Sequence, residues 1–93
     1  MILSFRCKET EKVWHRRFSK KFPEGIQVRA RRKLIALHIA ATLNDLRPPP
    51  SNHLEALKKD RQGQWSIRIN KLWRVCFVWA EGNAHQVEIV DYH

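Results

Sequence analysis

The chain has 93 residues, 43% of them hydrophobic, and carries a net charge of +9. That length holds one domain, expected to span residues 1–93, and the apolar content excludes global disorder. Eighteen Lys and Arg against nine Asp and Glu point to a polyanionic partner, nucleic acid above all, and to tight pairing with any acidic protein. Cys7 and Cys76 form no C-x-x-C pair, so neither a zinc site nor a redox motif is supported, and two free buried thiols in a reducing cytosol are expected. No run approaches the roughly 20 apolar residues of a membrane span. Arg6, Cys7 and Lys8 follow the short apolar opening too soon for a secretory leader. A cytoplasmic protein with no cofactor and no metal is the expectation.

Met1–Phe5 predicts an edge strand. Thr10–Lys21 predicts a short helix, with Thr10 as its cap and Val13, Trp14 and Phe18 on its buried side. Phe22-Pro23-Glu24-Gly25 breaks it. In the next helix Ala30, Leu34, Leu37 and Ala41 share one face, and Arg29, Arg31, Arg32 and Lys33 crowd its first half. Arg47-Pro48-Pro49-Pro50 is expected to end that helix, because proline lacks the amide hydrogen.

Beyond the prolines the period changes from 3.6 to 2. A short strand is predicted over Leu54–Leu57. Gln64–Asn70 sets Trp65, Ile67 and Ile69 against Ser66 and Arg68. Trp73–Trp79 sets Trp73, Val75, Phe77 and Trp79 against Arg74, Cys76 and Val78. Glu81-Gly82-Asn83 is a hairpin turn, and Gln86–His93 a last strand with Val87 and Ile89 inward. Two N-terminal helices packed on a twisted antiparallel sheet make an α+β fold.

Alternation places Arg68 and Arg74 together on the face away from the core, where their planar forks suit phosphate oxygens. An ordinary solvated strand face is the plainer alternative. Glu55, among these arginines, should stay ionised and suits a general base, or else merely balances charge. His53 shares its face if the segment is extended and competes for the base. Val90-Asp91-Tyr92-His93 brings a proton-transfer residue to the end of a strand. Base, cations and acid together suit RNA cleavage by the 2′-OH, and no acidic cluster for Mg²⁺ stands out.

Three segments carry a resemblance. They are Leu57–Asn70 with its D-R-x-G-x-W-S-I run, Trp73-Arg74-Val75-Cys76-Phe77, and Val87–His93 ending D-Y-H. In this order and spacing, with the Met1–Phe5 opening, they resemble HigB-type toxins of the RelE superfamily over nearly the whole chain. The resemblance implies ribosome-dependent cleavage of mRNA in the A site and neutralisation by an antitoxin, usually a helix-turn-helix protein. It implies that Arg74 binds phosphate, that Asp91, Tyr92 and His93 form a functional tail, and that Arg68 and Lys58 line the cleft. The basic face with Arg29, Arg32 and Lys33 would contact ribosomal RNA. The chain departs from the pattern at Glu55, where many HigB proteins carry histidine and the YoeB branch a glutamate base. Glu55 is therefore expected as base and His93 as acid, with Tyr92 orienting the substrate or stacking on a nucleobase. In an ideal strand Tyr92 and His93 point to opposite sides, so both act only if the tail curls. A gyrase-poisoning ParE-like protein, or a non-catalytic nucleic-acid-binding module on the same scaffold, is the alternative.

Overall fold

The change of period along the chain produces two layers. The computed structural model describes residues 1–91. Helices α1 (Lys8–Trp14) and α2 (Glu24–Ile39) lie on one face of a sheet built from β1 (Glu55–Ala56), β2 (Trp65–Arg68), β3 (Trp73–Ala80) and β4 (Asn83–Asp91). The strands follow chain order, and each pairs antiparallel with the next. This is the α+β architecture expected from the sequence. No described helix is long and apolar enough to cross a membrane.

Helix α2 is the larger contributor to the core. Ile26, Ala30, Leu34 and Leu37 recur at helical spacing, are all buried, and pack with Ile67, Ile69, Val75, Phe77, Val87 and Ile89 of the sheet side. The helix stops at Ile39, well before the prolines expected to end it, and Ala41 is exposed rather than on its buried face. What ends it is Asp45, whose carboxylate accepts from the backbone N–H groups of Ala41 and Thr42 and starts a separate 3₁₀ turn at Leu43–Leu46. The proline loop is then fastened by buried Asn52. Its amide donates to the carbonyls of Leu46 and Pro48, and its oxygen accepts from Lys33 Nζ.

Helix α1 is shorter than expected and differently placed. Thr10 does not cap it; Thr10 is buried within the helix, and its hydroxyl accepts from the Ile89 amide. The helix closes when Arg16 adopts φ +62°, with Arg16 N–H bonding Val13 and Arg17 N–H bonding Lys12. That pattern is a Schellman cap with arginine where glycine is usual. The chain therefore turns away before Phe18, which is 60% exposed instead of buried. Cys76 is buried as expected, but Cys7 only half so; both are free.

The β3–β4 hairpin turns on Glu81 and Gly82, both with positive φ, as a two-residue type I′ loop requires. Farther along, Gln86 and Val87 together oppose Phe77, a β-bulge with Gln86 at φ +52°. The extra residue lets Ala84 and Val87, three apart, both face the core. It also frees two amides, and Ser4 accepts both: Gln86 N–H on its hydroxyl at 2.9 Å and Val87 N–H on its carbonyl at 3.1 Å. The opening segment thus touches β4 through parallel bridges at Ile2 and Phe5 rather than as a continuous strand.

Two outcomes test this packing. Leu34→Ala is expected to lower unfolding stability by about 2–5 kcal/mol in urea, because a fully buried side chain leaves a cavity; an unchanged midpoint would contradict the packing. Ser19 donates to Glu9 at 2.7 Å and Lys12 pairs with it, holding the Glu9 carboxyl below its usual range. Its folded pKa lies below the unfolded one, so this stabilisation is complete above the ordinary carboxylate pKa and fades as pH falls towards the lowered value. The melting-temperature gap between wild type and Glu9→Gln should therefore narrow on acidification.

Candidate active site

Register determines which side chains meet on the face opposite the helices. Glu55 pairs with Ser66, and Ser66 with Cys76. Arg68 pairs with Arg74, and Arg74 with Val90. Since Ile67, Val75 and Ile89 occupy the core face, strict alternation puts Glu55, Ser66, Arg68 and Arg74 on the other. Arg68 and Arg74 thus share one face, as alternation along the strands predicts. The plainer alternative, an ordinary solvated strand face, does not hold, because Ser66, Arg74 and Cys76 are all buried.

Arg74 is 8% exposed and held from several sides. Its Nε donates to Ser66 Oγ at 2.8 Å, and its Nη2 donates to the His53 carbonyl at 2.6 Å. The Glu55 carboxylate lies 3.5 Å from the same Nη2. A cation buried in this way must be hydrogen-bonded to be tolerated. These contacts fix the fork's plane, which a flexible surface arginine would lack. Glu55 itself is 47% exposed, so its carboxylate reaches solvent while remaining in contact with the guanidinium.

Arg68 stands directly across the ladder from Arg74, and like charges so placed repel. Its Nε is turned to the Asn70 carbonyl at 3.0 Å. Elsewhere on this face Glu88 is taken up by Arg61 at 3.1 Å, so it does not neutralise the arginine pair. Burial pushes the Cys76 thiol up, which makes it a poor nucleophile.

A second basic concavity opens beside Arg68. Arg29 and Lys33, one turn apart on α2, join Arg68, Lys71 and the Ser51 hydroxyl around a cavity of ≈ 320 Å³. Burial, and then the charge of Arg29, push the Lys33 ammonium below its usual pKa. Cations brought this close favour a bound anion. The structure thus gathers Arg29, Lys33 and Arg68. Arg32 is on another side of α2, against α1, and Lys58 is exposed beyond β1.

His53 does not extend β1. It adopts φ +44°, so the premise that it shares Glu55's face fails; its contribution to the site is its backbone carbonyl. Asp91 ends β4 opposite Trp73, one residue beyond the partner of Arg74. Tyr92 and His93, expected as functional residues, lie outside the described residues. Sequence reasoning missed Ser66 as the residue that orients Arg74. The available signal was a serine two residues before Arg68, in register to face Arg74's strand. Among the described residues no group of three or more His, Cys, Asp or Glu is placed to hold a metal ion.

Comparison with known proteins agrees with this architecture. The model of the HigB-like toxin family, described as RelE-like toxins of type II toxin–antitoxin system HigB, matches residues 3–93, and the chain belongs to that family. The family implies an antitoxin partner. The chain is 36% identical over 85 residues to Toxin HigB-1 of Vibrio cholerae, covering 90% of each chain. It is 30% identical over 93 residues to Endoribonuclease HigB of Proteus vulgaris, covering 100% of each.

Ser66→Ala tests the orientation of Arg74. It leaves a buried N–H without its acceptor, so stability is expected to fall by about 1–3 kcal/mol in urea unfolding. A neutral result would show that Ser66 does not restrain the guanidinium.

Proposed function

We propose that this chain is an endoribonuclease that cuts mRNA in the ribosomal A site by 2′-OH attack, without a metal step, and so inhibits translation. The observation that carries the reading is the Glu55–Arg74–Ser66 arrangement: an accessible carboxylate held against an oriented, buried cation. The name of the Proteus vulgaris relative supports the activity.

In this reading Arg74 and Arg68 grip the scissile phosphate. Glu55 takes the proton from the 2′-OH as its oxygen bonds to phosphorus. The bond from phosphorus to the 5′-oxygen breaks, and His93 protonates that leaving oxygen. The products are a 2′,3′-cyclic phosphate and a 5′-hydroxyl end. Tyr92 orients the substrate or stacks on an unpaired base, and Asp91 completes the tail with them. Arg29, Lys33, Lys58 and Arg32 supply contacts to flanking phosphates or ribosomal RNA, a term that weakens with salt. The protein works in the cytoplasm, with residues 1–93 forming a single domain, and is silenced by an antitoxin of helix-turn-helix type.

Induced expression should arrest growth, and primer extension should map cuts that require ribosomes. Glu55→Gln is expected to slow cleavage by about 10²–10⁴-fold, the range for loss of a general base. Arg74→Lys keeps the charge but not the fork and should cost roughly 10²–10³-fold. Full growth arrest by both variants would overturn the assignment, and inhibited gyrase supercoiling with intact mRNA would place the chain with the ParE-like branch instead.

A further inference from the structure

A larger concavity than the one beside Arg68 lies away from the Arg74 face, between α1 and the outer side of α2, with a volume of ≈ 580 Å³. Its floor includes Phe18, Val28 and Ile35, three of the large apolar side chains left exposed by the fold. Val28 is 65% exposed, on the side of α2 opposite the core stripe. Phe18 is there because the turn at Arg16 carries the chain outward. Around this floor stand Arg16, Arg17, Arg31 and Arg32, with Glu24 the single acidic group among the lining residues. Arg31 is braced: its Nε donates to the Trp14 carbonyl at 3.2 Å, and its guanidinium lies 5.6 Å from the Trp14 ring centroid.

We propose that this groove is the docking surface for the antitoxin, and that it takes an acidic amphipathic segment of that protein. Two features have to be met at once, an apolar floor and a cationic rim. An RNA backbone would satisfy the arginines and gain nothing from Phe18, Val28 and Ile35. A second copy of this chain would cover the floor, but it would bring its own arginines and a net charge of +9 against the rim. A segment with apolar residues on one face and Asp or Glu on its edges satisfies both, burying the floor and pairing with the rim. The proposal rests on family membership, which implies the antitoxin, and not on the nuclease chemistry. The groove and the Arg74 site lie on opposite sides of the sheet, so the two can be altered separately.

The probe is the protein encoded by the reading frame adjoining this gene, titrated calorimetrically against the full chain. Phe18→Ser with Val28→Ser, and separately Arg16→Glu with Arg17→Glu, are each expected to weaken binding at least tenfold. Arg16→Lys with Arg17→Lys should restore most of the affinity, and growth arrest without the partner should persist in every variant. Amide exchange of the wild-type complex should show protection concentrated in residues 13–35, a readout independent of any variant's folding. Unchanged affinity in both pairs, protection elsewhere, or no binding of the adjoining protein to wild type would each overturn the proposal. Charge reversal that weakens ribosome co-sedimentation while sparing the adjoining protein would also overturn it and make the rim an RNA contact. Loss of growth arrest through Glu55→Gln bears on the nuclease reading alone.

Discussion

A buried guanidinium sets the terms for the rest of the sheet. Arg74 lies near the start of β3 with almost no contact with water, and the molecule is arranged to keep it satisfied. The requirement reaches across three elements. Ser66 must sit beside it on β2, and the chain before β1 must bend so that the His53 carbonyl faces it. That bend is in turn held by Asn52, which ties the proline loop to α2 through Lys33. The loop, the helix and the short edge strand are thus coupled to one side chain, and Glu55 is positioned as a by-product of that coupling.

The distribution of charge follows a similar logic. On the sheet face, Arg68 and Arg74 stand opposite each other, with Glu88 paired to Arg61 and the Glu55 carboxylate half in solvent beside Arg74. On the helix layer, arginines flank an apolar hollow. One basic composition is therefore divided between two surfaces of different character, one with its arginines opposed across a strand ladder, the other with arginines around an apolar hollow. Net charge alone would not have separated them.

The parts legible in the sequence were those governed by period. The α2 stripe, the β2 and β3 alternation and the Glu81-Gly82 turn all follow from spacing, and with them came the shared face of Arg68 and Arg74. What escaped were positions where a residue adopts a conformation its type does not advertise. Arg16, His53 and Gln86 all have positive φ without being glycine. The first shortened α1 and exposed Phe18, the second turned a side-chain candidate into a backbone ligand, and the third let Ala84 join the core. Tertiary partners impose these conformations, and a local pattern does not contain them. The end of α2 was missed for a related reason, because Asp45 stops the helix before the prolines can. Grouping Arg29 with Lys33 was legible from their one-turn spacing, whereas the separation of Arg32 depended on where α1 packs.

The bulge in β4 has a kinetic side. Its two released amides find acceptors only in Ser4, 82 positions away for the hydroxyl contact. Contacts so distant in the chain close slowly, because a long loop must be ordered before anything is gained. Until then the outer margin of β4 presents open donors and acceptors of the kind that invite pairing with another molecule. The opening residues therefore act as a late-arriving seal on the sheet. Their removal would reveal itself less in the melting point than in a tendency to associate during refolding.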